Sequence, residues 1–116
     1  MDNWQKGVIT NVITKRSEKA GIYESLEVYV GKERYFKNFL VNHPNNEIAK
    51  LNIYYLEKLF KEANIYTFCN KHDVRNLVNL DVLVTIDYDN EFKSIKKIKV
   101  AKWLEKLENN AILIVS

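Results

Sequence analysis

Twice along this chain the spacing of the apolar residues changes period, and those two changes fix the order of its elements. Up to Val41 the apolar residues alternate; past Pro44 they recur every third or fourth position; beyond Leu80 they alternate again. Alternation matches the two faces of a pleated strand, and the longer period matches one face of a helix. The pattern predicts strands, one helix, then strands.

The first run, GVITNVITK over 7–15, is rich in β-branched residues, with Val8, Thr10, Val12 and Thr14 alternating against Ile9, Asn11 and Ile13. A polar turn over 16–20 and Gly21 lead to a second strand over 22–30. It carries Leu26, Val28 and Val30 on one face and Tyr23, Ser25, Glu27 and Tyr29 on the other. Gly31 and Lys32 make a tight connection to a third strand over 33–41, whose aromatic residues lie on both faces and leave its inward side open. The three strands read as a meander.

His43, Pro44, Asn45 and Asn46 end the alternation, because proline cannot extend a ladder and asparagine caps helices well. Ile48, Leu51, Tyr55, Leu56, Leu59, Phe60 and Ala63 then recur at helical spacing and form the expected core stripe. Glu47 suits the positive end of the helix, and Asn64 supplies a left-handed stop. The stretch over 65–79 is less regular, with a short helix expected near 73–77. Val82, Val84, Ile86 and Tyr88 alternate with Leu83, Thr85, Asp87 and Asp89, and a turn at Asp89 and Asn90 leads to a strand over 92–101, which together read as a hairpin. Trp103, Leu104 and Leu107 suggest a short helix. The aliphatic run at 112–115 reads as a last strand or a packed tail, paired within the fold or across a homodimer, since exposed it would invite association.

At 116 residues and 47% hydrophobic composition, the chain reads as a single domain over 1–116 that buries roughly two thirds of its extended surface. The element order predicts an α+β, mainly β class: an OB-like five-stranded barrel or a curled antiparallel sheet, with one long helix between strands three and four. No apolar run approaches the roughly 20 residues of a membrane helix, and the first residues lack the apolar core of a signal peptide, so no membrane partner is expected. Cys69 is the single cysteine, which excludes an internal disulfide and fits the cytosol.

With glycine only at Gly7, Gly21 and Gly31, neither a phosphate-cradling GxxxxGK[ST] loop nor a GxGxxG turn can be written. None of Ser17, Ser25, Ser94 and Ser116 sits in a GxSxG elbow. Cys69 and His72 have the spacing of half a zinc site, but a structural site needs four ligands and only His43 remains, so a buried thiol and a surface imidazole are expected. Asp87, Asp89 and Glu91 crowd one hairpin end; an acidic, solvated turn is the expectation there, and a Mg²⁺ or Ca²⁺ site the rival. The reading is a non-enzymatic chain with no cofactor and no metal.

The segments GIYESLEVYV, KERYFKNFLV, LEKLFKEAN and LDVLVTIDYD resemble a family of small phage proteins encoded in replication and recombination gene clusters. The resemblance runs from about Trp4 to Trp103 and rests on element order and pattern around Tyr23, Phe36, Asn38, Phe39 and Leu59. It implies an accessory protein that binds single-stranded DNA or partners an annealing protein, in the cytosol of a bacterial host. Where that family carries a glycine after the helix, this chain has Asn64 and Ile65, and its hairpin turn is unusually acidic.

A net charge of +3 is too small to attract polyanions by itself, so distribution matters. On an OB-like barrel a single strand crosses strands two and three, held by the loops joining strands one to two and four to five. The first loop offers Lys15, Arg16 and Lys19. Strands two and three are expected to turn Tyr23, Tyr29, Tyr35, Lys37 and Phe39 outward with Arg34 nearby; Tyr23, Tyr29 and Phe39 would stack bases, and Arg34 and Lys37 would hold phosphates. Lys97 and Lys99 would extend the positive track. The expected partner is single-stranded nucleic acid, DNA or RNA. A rival class is a protein-binding module, such as a phage-encoded inhibitor of a bacterial defence nuclease. The segregation of Asp81, Asp87, Asp89 and Glu91 from Lys93, Lys96, Lys97, Lys99 and Lys102 motivates it, because such polarity steers protein association.

Overall fold

The computed structural model describes residues 3–64, 73–89 and 91–101. The described residues form five strands, β1 (Gln5–Ser17), β2 (Gly21–Val30), β3 (Glu33–Phe39), β4 (Asp81–Asp87) and β5 (Ser94–Val100), and a helix, α1 (Asn46–Ala63), that packs across one end of them. The strand order is β1-β2-β3-β5-β4, and β4 returns to pair with β1, so the sheet closes into a ring. Every pairing is antiparallel except β3 with β5, which is parallel and pairs at Phe36 and Ser94. The meander, the helix and the hairpin all form in the order the apolar periods predict.

β1 is long enough to serve two neighbours, and a register shift between Ile9 and Asn11 bends it. That bulge exchanges its faces: Ile9 is buried before it, and Val12 packs on the core after it. Gly7 makes the crossing possible, because a Cβ there would meet Val28 Cγ1 at 2.8 Å and the Tyr29 carbonyl oxygen at 3.0 Å.

The core joins Ile9, Leu26, Val28 and Phe39 from the meander to Val82, Val84, Ile86 and Ile95 from the hairpin, and Leu56, Leu59 and Phe60 of α1 close one end. Asn45 caps that helix, its side chain accepting from the Glu47 N–H, and Asn64 ends it in the left-handed region at φ 58°. A 3-10 turn, Val74–Leu77, capped by Asp73, inserts Leu77 into the core.

The predicted helix stripe divides. Leu56, Leu59 and Phe60 are buried and Ala63 partly so, whereas Ile48, Leu51 and Tyr55 are exposed, Leu51 at 54%, and Ala49, outside the expected stripe, is buried. A helix laid across the mouth of a ring touches it along a narrow strip, and residues on the flanks stay in water. No helix of the described residues is long and apolar enough to cross a membrane. The expected helix from Trp103, the apolar run at 112–115 and the Cys69/His72 pair lie outside the described residues.

Candidate nucleic-acid interface

The face that each side chain of β3 takes follows from the turn before it. Val30 and Glu33 are opposed across Gly31 and Lys32, which sets Val28 against Tyr35, Leu26 against Lys37 and Glu24 against Phe39. Opposed residues share a face of a sheet. Leu26 and Val28 are fully buried, so Tyr35, Lys37 and Phe39 point inward, and Arg34, Phe36 and Asn38 point outward.

This corrects the expected surface. Phe39 is 1% exposed and belongs to the core, so it has no face to offer a base. Tyr35 packs against the same core. Arg34 and Lys37, expected together, fall on opposite faces of β3. The aromatic residue that β3 turns outward is Phe36, and it organises the site.

The Lys15 ammonium lies 5.0 Å from the centroid of the Phe36 ring, and the Arg34 guanidinium carbon 5.5 Å from it. Both cations sit over the negative face of a ring quadrupole. Lys15 is directly opposite Tyr23, and Arg34 directly opposite Tyr29, so each cation has a tyrosine as its cross-strand neighbour. Tyr23 is half-buried and Tyr29 exposed, and along an extended strand the two stand about 20 Å apart.

Glu27, opposite Phe36, anchors the arrangement. Its carboxylate accepts from the Thr10 hydroxyl at 2.8 Å and lies 3.7 Å from the Arg34 guanidinium, with its side chain only 15% exposed. Next to it the Ser25 hydroxyl, fully buried, donates to Asn38 at 2.7 Å. The centre of the face is thus held by hydrogen bonds while its two cations keep water-exposed donors.

Arg16 and Lys19 are exposed at the end of the β1–β2 hairpin, beyond this cluster. Lys97 and Lys99 are exposed on β5, where the Lys99 ammonium sits 4.1 Å from the Trp4 ring centroid. Lys37 lies at the same seam; its ammonium donates to the Lys96 carbonyl at 3.3 Å, and burial pushes it below the ordinary lysine range. Of the ten expected contacts, Lys15, Tyr23, Tyr29 and Arg34 form one group and Lys37, Lys97 and Lys99 another, while Arg16 and Lys19 lie beyond the first and Phe39 is core.

At the acidic hairpin end, the Asp89 N–H donates to the Asp87 carboxylate. Among the described residues no group of three or more histidine, cysteine, aspartate or glutamate side chains could hold a metal ion. Nearby, Lys93 and Glu33 form an exposed ion pair at 2.8 Å that lowers the Glu33 pKa and raises that of Lys93, through the hydrogen bond first and charge attraction second.

No protein-family model matches the chain, and no curated protein matches it either.

Proposed function

We propose that the chain is a non-enzymatic module that binds single-stranded nucleic acid across the outer face of β1, β2 and β3. The carrying observation is Phe36 with Lys15 and Arg34 on its ring, flanked by Tyr23 and Tyr29. Bases laid on the tyrosines would have flanking phosphates beside the two cations, and stacking on one aromatic contributes about 1–3 kcal/mol whatever the base. Binding of this kind is sequence-tolerant, salt-sensitive and weak to moderate.

The ring order β1-β2-β3-β5-β4, with its helix between β3 and β4, supports an OB-like barrel, a fold that uses this face for oligonucleotides. The resemblance to phage replication and recombination proteins supports an accessory role beside such enzymes, in the cytosol of a bacterial host.

Polarisation of a fluorescent oligo-dT at low salt tests the reading. Binding in the micromolar range that weakens steeply with added salt is expected. No change in polarisation at tens of micromolar protein would refute it and leave the protein-binding class in its place.

A further inference from the structure

β3 and β5 meet at Phe36 and Ser94 and form no further ladder pairs, although both continue. Between them, over α1, lies a cavity of ≈ 560 Å³. Among the described residues, its lining brings Lys37, Lys58, Lys96 and Lys99 from three different elements to one carboxylate, Glu62. That carboxylate is engaged, since it accepts from the Val100 N–H. Lys37 is partly desolvated; its ammonium has the Lys96 carbonyl at 3.3 Å and the Phe39 ring at 5.7 Å, but no carboxylate in ion-pair range among the described residues, so an anion in the cavity would find it without a counter-charge. Trp4 and Tyr55 supply aromatic walls, and the Trp4 ring already carries the Lys99 ammonium.

We propose that this cavity binds a phosphorylated nucleotide, with Lys37, Lys58 and Lys99 on the phosphate and Trp4 or Tyr55 against the base. Its volume lies in the range of small-molecule sites, and several cations converging on so little carboxylate fit a multiply charged anion. A bare phosphate would leave the aromatic walls unused, whereas an uncharged nucleoside would leave the lysines unneutralised. The phosphate could arrive on a free nucleotide or on the 5′ end of a strand. The inference does not rest on the outer-face reading, because the cavity shares none of Lys15, Tyr23, Tyr29, Arg34 or Phe36.

Calorimetric titration at low salt compares thymidine with its 5′-monophosphate, and a 5′-phosphorylated oligo-dT with the same oligonucleotide bearing a 5′-hydroxyl. At least one phosphorylated ligand should bind about tenfold or more tightly than its unphosphorylated counterpart, and the pair that shows the difference identifies the source. Lys99→Gln and Lys58→Gln, both at exposed positions, should each reduce that preference several-fold. Lys37→Gln should do the same, and its thermal melt shows whether it remains folded. Phe36→Ala should leave monophosphate binding unchanged, which separates this site from the outer face. Equal affinity within both ligand pairs, or a phosphate preference untouched by Lys99→Gln and Lys58→Gln together, would overturn the proposal.

Discussion

Truncating Phe36 and Phe39 in separate variants should produce opposite phenotypes, although the two residues lie three apart on one strand. Phe39 is 1% exposed and packed between the sheet and α1. Replacing such a ring by alanine costs about 3–5 kcal/mol, a large part of the roughly 5–15 kcal/mol that holds a domain of this kind together. At about 4 °C per kcal/mol for this length, Phe39→Ala should melt about 12–20 °C lower. Phe36 is only half-buried, and its removal releases two cation–π contacts worth about 0.5–1 kcal/mol each, so Phe36→Ala should melt about 4–8 °C lower. Oligonucleotide binding should order the variants the other way. Loss of the ring that seats both phosphate-holding cations, at about 0.5–1 kcal/mol each, weakens affinity roughly 5- to 30-fold in Phe36→Ala. Folded Phe39→Ala, assayed well below its melting point, should bind nearly as the parent does. Thermal melts by circular dichroism and polarisation titrations on the same preparations decide the matter. A Phe39→Ala protein that melts normally but fails to bind would show that the face assignment of β3 is wrong.

Other consequences are open to the same methods. Gly7→Ala forces a Cβ to within 2.8 Å of Val28 and should lower stability by about 1–3 kcal/mol in urea titrations; an unchanged midpoint would deny the close crossing of β1 and β2. Asn45→Ala removes the α1 cap and should cost about 0.5–2 kcal/mol, whereas Asn45→Asp, which keeps an acceptor, should cost little. The Glu33–Lys93 pair depresses the Glu33 carboxyl below its ordinary 4.5, so its contribution is fully present above that value and disappears as pH falls through the folded-state pKa. The melting difference between the parent and Glu33→Gln should therefore be visible at neutral pH and vanish in strong acid. A difference that persists in acid would assign it to something other than the pair. Lys15→Gln should reduce the salt dependence of oligonucleotide binding by about 0.7 in the logarithmic slope, one phosphate contact on a single strand.

Much of this architecture was legible because its strands are amphipathic in the simplest way. Leu26, Val28 and Val30 alternate with polar and tyrosine neighbours on β2, so its inward face could be read by parity, whereas on β4 Leu83 and Thr85 are buried along with Val82, Val84 and Ile86 and the strand is covered on both faces. The helix ends were legible too, since Asn45 and Asn64 act through local backbone geometry that needs no distant partner. β3 defeats that reading because Tyr35, Lys37 and Phe39 on one face and Arg34 and Phe36 on the other give both faces a ring and a cation. A usable signal was nonetheless present in the two-residue turn. Once Val30 opposes Glu33, the apolar face of β2 dictates that Tyr35, Lys37 and Phe39 lie beside it and that Phe36 lies outside. The helix stripe misled for a different reason. Period alone cannot tell how wide a strip a ring of strands will cover, and Ile48, Leu51 and Tyr55 share the core's spacing while standing in solvent. The cavity between β3 and β5 depends on a parallel contact between distant segments, which no local pattern reveals.

Amide chemical-shift mapping during titration with a short oligo-dT at low salt locates the bound strand on the sheet. The largest shifts should cluster at Lys15, Tyr23, Tyr29, Arg34 and Phe36, with Ile9 and Val84 inside the ring barely moving. Shifts confined to the acidic end around Asp87 and Asp89, or a spectrum that does not change at all, would contradict that placement.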